Sequence, residues 1–174
     1  GNEFAEARQS LRRALELDPA LPEANDALGL LHAKMGDLAV AKSYFKKETE
    51  VNPEFAEGFN HLGLIHLSLN EAEGALAPLR RSVTLNPQNA DALNNLGVAY
   101  KRLGRLEEAG QAFEESVRAG PSFVPGLINL GLHYLNAGKL VEAERKLAEA
   151  LALQPNSPKT RRDLSRVRSL LGRE

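Results

Sequence analysis

The chain has no cysteine and no tryptophan. Without thiols it has no disulfide, no thiolate nucleophile and no cysteine-based zinc site. Aromatic residues make up only 5% of its 174 residues and the formal net charge is −1, which leaves little for base stacking or for a phosphate backbone. Nucleic acid is therefore not an expected partner. No stretch reaches the roughly 18 consecutive apolar residues of a membrane-spanning helix. A glycine-rich phosphate loop, a Ser/His/Asp arrangement and an isolated carboxylate pair are all missing, so neither catalysis nor a cofactor is expected. The four histidines are His32, His61, His66 and His133. His61 and His66 are five apart and do not share a helix face, so no metal site is expected either.

What the chain does have is a period. Pro19, Pro53, Pro87, Pro121 and Pro155 follow one another at intervals of 34 residues with no insertion. Asn95-Leu96-Gly97 returns as Asn129-Leu130-Gly131, as His61-Leu62-Gly63 and as Ala27-Leu28-Gly29. Within each period, apolar residues recur at helical spacing in two segments split by Gly36, Asn70, Gly104 or Gly138, residues that favour the left-handed end of a helix. First helices are expected at 22–35, 56–69, 90–103, 124–137 and 158–171, and second helices at 1–17, 39–51, 73–85, 107–119 and 141–153. A fixed period of this length means stacked, identical hairpins, each burying its apolar face on its neighbours.

Leu93, Leu96, Gly97, Tyr100, Ala109, Phe113 and Pro121, echoed by Leu127, Leu130, Gly131, Tyr134, Ala143, Leu147 and Pro155, resemble the signature of the tetratricopeptide repeat family. The resemblance implies an all-α fold, a right-handed α-α superhelical solenoid of antiparallel helix hairpins. Residues 1–174 then form one array. Complete repeats lie at 22–53, 56–87, 90–121 and 124–155. Residues 1–19 are the second helix of a truncated repeat and 158–174 a C-terminal capping helix. The pattern begins part-way through a unit, so the chain is expected to be a fragment of something longer.

Several details carry expectations of their own. Gly29, Gly63, Gly97 and Gly131 sit in mid-helix, where glycine costs up to about 1 kcal/mol against alanine. A close helix approach is the expected compensation, against the small residues Ala41, Ala75, Ala109 and Ala143. Phe45, Leu79, Phe113 and Leu147 are expected to fill the space between layers. Pro78 falls inside a second helix and predicts a kink on the convex side. In the last helix Ser165 and Arg168 replace Gly131 and Tyr134, leaving Leu164, Val167, Leu170 and Leu171 as its apolar face. His32 and His66 stand where Tyr100 and Tyr134 stand, as packing residues with a polar tip.

The family scaffolds many unrelated functions. Its first helices line a concave groove, which here implies a peptide-binding surface of Asn60, His61, Leu64, Asn94, Asn95, Val98, Lys101, Asn129, Leu132, Arg162 and Arg166. Asn95 and Asn129 resemble the asparagine ladder of the repeat region of O-linked N-acetylglucosamine transferases, which grips a peptide backbone. His61 stands in the same row, and Ala27 and Asp163 depart from it. The co-chaperone clamp for acidic chaperone tails is a poorer match, since Asp26 and Leu30 replace its opening lysine and asparagine. Leu30, Leu64, Leu67, Leu132 and Leu135 imply a ligand with an apolar stripe, an extended or amphipathic segment of a protein partner.

Residues 158–174 carry six cations against Asp163 and Glu174, a balance of +4, so the rest of the chain stands at −5. This basic stretch reads as a solvated cap or as a dock for an acidic segment. The functional reading is a non-catalytic interaction scaffold. The alternatives are a regulatory or substrate-selecting arm of a larger enzyme or secretion machine, and self-association through residues 1–17, where Phe4, Leu11 and Leu15 lack a covering helix.

Overall fold

The computed structural model describes residues 2–19 and 21–173, without the side chains of residues 2–5. The expectation for the Phe4 side chain lies outside the described residues. Within them the chain forms ten α-helices and no strand. Two compact units divide it, Gly1–Pro87 and Gln88–Glu174. The first holds α1 (Asn2–Leu17), α2 (Ala24–Lys34), α3 (Leu38–Val51), α4 (Ala56–Ser68) and α5 (Ala72–Leu85). The second holds α6 (Ala90–Arg102), α7 (Leu106–Ala119), α8 (Val124–Asn136), α9 (Leu140–Leu153) and α10 (Pro158–Leu170).

Helix ends follow local chemistry. Gly36, Asn70, Gly104, Gly138 and Gly172 all have positive φ, between 61° and 86°, and the first four reverse the chain after a first helix. Asn89 and Ser157 cap α6 and α10 by accepting from Ala92 and Thr160 backbone N–H groups. Within each unit a second helix packs against its own first helix and against the first helix of the next hairpin: α3 on α2 and α4, α7 on α6 and α8, α9 on α8 and α10.

The mid-helix glycines decide how closely the hairpins shut. A Cβ on Gly97 would lie 2.6 Å from the Phe113 ring, one on Gly29 2.6 Å from Phe45, and one on Gly131 2.8 Å from Leu147; on Gly63 it would come closer still to Leu79. The glycines therefore make room for the large residue of the partner helix, not for the alanines as the sequence suggested. Ala41, Ala75, Ala109 and Ala143 are fully buried elsewhere in the same cores. Phe45, Leu79, Phe113 and Leu147, at most 2% exposed, fill the glycine notches.

Two further placements differ from the sequence reading. Pro78 is buried, and α5 runs unbroken through it from Ala72 to Leu85. Leu170 is 58% exposed, so α10 buries Thr160, Leu164 and Val167 instead, with Leu171 packed alongside. Glu48, which the sequence did not single out, is fully buried on α3. Its carboxylate accepts from the Glu23 and Asp26 backbone N–H groups at 3.0 and 3.2 Å, and from the Asn52 side chain. An anion there offsets the positive end of α2, whose preceding residue Glu23 is held at φ 62°. Later repeats carry Ser82, Ser116 and Ala150 at this position, and Ser116 donates instead to the Ala90 carbonyl at 2.7 Å.

Asn25 is fully buried, and neither its amide nitrogen nor its oxygen has a hydrogen-bond partner among the described residues. Its repeat equivalents are Phe59, Leu93 and Leu127. An unsatisfied buried polar group costs about 1–3 kcal/mol. Asn25→Leu should therefore raise stability by about 1–3 kcal/mol in chemical denaturation; a lower midpoint would mean the amide has a partner such as buried water. Gly97→Ala should do the reverse. Overpacking costs about 1–3 kcal/mol, and helix propensity returns at most about 1. The melting temperature should fall, and Phe113→Leu in the same chain should recover part of the loss.

Candidate functional site

In each unit the first helices carry rows of equivalent residues. In the first unit the accessible part belongs to α2 and α4. Leu30 is 46% exposed and Leu64 42% exposed, one repeat apart. They border a cavity of about 170 Å³ whose other walls are Ala33, Leu38, Phe45, His61, Ile65 and Ser68. Phe45 is held on one side by the Gly29 notch and on the other by the His61 ring, 5.4 Å away.

His61 is half-buried and is oriented by Asp26, whose Oδ1 lies 2.7 Å from its Nδ1. The second unit repeats this link with amides: Asn129 donates to the Asn94 side-chain oxygen at 2.7 Å. In both cases the residue before Leu-Gly in one repeat reaches the position one residue earlier in the preceding repeat, a separation of 35. The rung fails at Asp163. The residue opposite in sequence register is Ile128, and Asp163 Oδ2 is buried without a partner.

These links fix where the expected site residues stand. Asn60, Asn94 and Asn95 are buried; Asn95 also donates to Asp91 over a long 3.4 Å. His61, Val98, Asn129 and Leu132 are half-buried, while Leu64, Lys101, Arg162 and Arg166 are exposed. Leu67 is buried, and Leu135 is half-buried against the core around Ala143. Of the buried amides Asn94 links two first helices, while Leu64, Lys101, Arg162 and Arg166 face outward. Leu30 was already among the leucines of the expected apolar stripe; the cavity beside it, walled by Phe45, was not legible in the rows.

The remaining polar groups pair within a hairpin or with the neighbouring hairpin of the same unit. His32 stacks on Tyr44 with centroids 5.5 Å apart and places Nδ1 3.3 Å from Asp37. His66 places Nδ1 2.6 Å from Glu71, which also accepts from Lys42. Those two hydrogen bonds, Lys42 first, hold the Glu71 carboxyl below its ordinary value. Tyr134, at the equivalent of His66, donates to Glu114 at 2.9 Å; burial, and then that carboxylate, push its phenol up to about 12. Burial lowers His133, which sits over the space that a Gly110 side chain would need. Hydrogen bonds from Arg168 and then Arg173 keep Glu144 low. Among the described residues no group of three or more histidines and carboxylates is placed to hold a metal ion. No helix among them is long and apolar enough to cross a membrane.

The hairpin geometry and the repeated glycine notch agree with the family comparison. Models described as "TPR repeat" match residues 1–36 and 63–104, and models described as "Tetratricopeptide repeat" match 22–55, 90–123 and 124–157. The chain belongs to the tetratricopeptide repeat family. Among solved structures it resembles MamA at 27% identity, with a TM-score of 0.78 over 91% of this chain and 92% of that one. It also resembles YrrB, described as a TPR protein with an unusual peptide-binding site, at 26% identity and a TM-score of 0.73, covering 91% and 82%. PilF from Pseudomonas aeruginosa, at 24% identity and a TM-score of 0.74 over 96% and 70%, shares the fold. No curated protein matches the chain in sequence.

The ladder makes a prediction about the half-buried amide. Asn129→Ala removes one hydrogen bond and leaves the buried Asn94 oxygen unpaired, a loss of roughly 1–2 kcal/mol. Urea denaturation should show a lower midpoint with an unchanged slope. An unmoved midpoint would mean that the amide serves a ligand and not the array.

Proposed function

We propose that this chain is a protein-interaction scaffold, without catalysis of its own, that takes a peptide or helix of a partner on the face of its first helices. The observation that carries the reading is the pair Leu30 and Leu64. Two large apolar side chains one repeat apart stand open to solvent beside a cavity walled by Phe45, Ala33 and Ile65. Folding alone gains nothing from leaving them there, whereas an apolar side chain of a partner gains burial. The similarity to YrrB, with its peptide-binding site, supports the reading.

In this proposal Leu64, Val98 and Leu132 offer apolar contact. His61 and Asn129 present the polar groups their rungs leave over. Asn60, Asn94 and Asn95 hold the first helices in register, and Lys101, Arg162 and Arg166 supply charge. The ligand is an extended or amphipathic segment with spaced apolar anchors. The unbroken proline period supports one array of four complete repeats, 22–53, 56–87, 90–121 and 124–155, flanked by a half repeat at 1–19 and another at 158–174.

Random peptides displayed on phage and selected on the wild-type chain test it. The enriched peptides should share Leu, Met or Phe at one position. Burying such a side chain is worth about 1.5–3 kcal/mol, so Leu64→Glu should weaken them on the order of 10- to 100-fold. Because Leu64 is exposed, the melting temperature should barely move. Selected peptides that bind the variant as tightly as the wild type would refute the pocket as their site.

A further inference from the structure

Helix α10 departs from its repeat equivalents in one direction. Where α8 has Leu127, Gly131 and Tyr134, α10 has Arg161, Ser165 and Arg168. Leu127 and Gly131 are buried, whereas Arg161, Ser165 and Arg168 are exposed. An exposed polar face needs no charge of one sign, and mixed charges give it without self-repulsion. Here the face is almost uniformly cationic: Lys159, Arg161, Arg162, Arg166 and Arg168 against Asp163 alone.

Some of this charge has internal work. Arg168 and Arg173 both bond to Glu144 on α9, at 2.9 and 2.6 Å, and Arg161 donates to the Pro155 carbonyl at 2.7 Å. These contacts tie α10 to the hairpin beneath it. Lys159, Arg162 and Arg166 have no such partner: among the described residues no carboxylate pairs with them. Arg162 and Arg166 are four residues apart on one exposed side, a like-charge spacing that mildly destabilises a helix. They rim a concavity of about 480 Å³ together with Pro158, Arg161, Ser165 and Ser169.

We propose that this face of α10 docks an acidic segment of a protein partner, its carboxylates accepting from Arg162 and Arg166. Arginine suits the task because its fork of N–H donors matches a carboxylate. The Ser165 and Ser169 hydroxyls beside the arginines can both donate to and accept from a peptide backbone. Nucleic acid fits less well. α10 has no aromatic side chain on which a base stacks, and its unpaired cations are too few for tight binding through phosphates. The inference deepens the role given above to Arg162 and Arg166 and does not depend on the Leu30–Leu64 pocket.

Fluorescence anisotropy at physiological salt tests it, with a labelled peptide of alternating Glu and Ser as probe. The Glu peptide should bind, more weakly as salt rises, and the matching Gln–Ser peptide should bind about tenfold more weakly or worse. The double variant Arg162→Gln, Arg166→Gln should lose on the order of tenfold in affinity, with an unchanged circular dichroism spectrum. The control double variant Arg8→Gln, Arg12→Gln on α1 should bind as wild type. Equal binding of the Gln–Ser peptide, an unaffected Arg162/Arg166 variant or an equally weakened α1 variant would each overturn the proposal. So would a thymidine oligonucleotide of the same length that binds more tightly than the Glu peptide.

Discussion

Each hairpin shuts because a glycine lets it. The missing side chain at Gly29, Gly63, Gly97 or Gly131 leaves a notch, and Phe45, Leu79, Phe113 or Leu147 enters it. The contact brings two helices close enough to bury the alanines beside them, and that closeness fixes the angle at which the next first helix must pack. An interior this dense transmits the constraint, because side chains packed at crystal-like density cannot drift. The glycine costs helix propensity and the buried ring or leucine more than offsets it, so local preference gives way to packing at the same point in every hairpin.

On that frame the polar residues do two different jobs. Asp26 with His61, and Asn94 with Asn129, link one first helix to the next and leave few polar groups unpaired. Glu48 is buried outright, tolerable because two backbone N–H groups and Asn52 satisfy its carboxylate at a helix N-terminus. Asn25 has no comparable compensation in a position that later repeats fill with Phe59, Leu93 and Leu127. The first complete hairpin is thus more polar inside than those that follow, and its opening helix depends on a carboxylate where the others use serine or alanine.

The surface divides along similar lines. In the first unit, positions 30 and 64 are leucines left in solvent beside a small apolar cavity. In the second, the corresponding rows pass through Val98, Leu132 and Arg166, and cationic charge gathers on α10. The same backbone leaves leucines in solvent at one place and arginines at another, because only the outward members of each row are free of the packing constraint.

The sequence by itself determined the period, the ten helices, their turns and the family. Each of those rests on local spacing: glycine or asparagine at a left-handed turn, apolar residues every third or fourth position, and proline after each hairpin. The polar exposed face of α10 was equally legible in Ser165 and Arg168. Only the tertiary structure decided that the glycines receive Phe45 and Leu147 and not the alanines, that Pro78 is buried, that Leu170 is not, and that Asn94 and Asn129 bond to each other. A row of equivalent residues says which side chains share a helix face. Which of them meets a neighbour and which meets water depends on the rotation of one helix against the next, and distant side chains set that rotation.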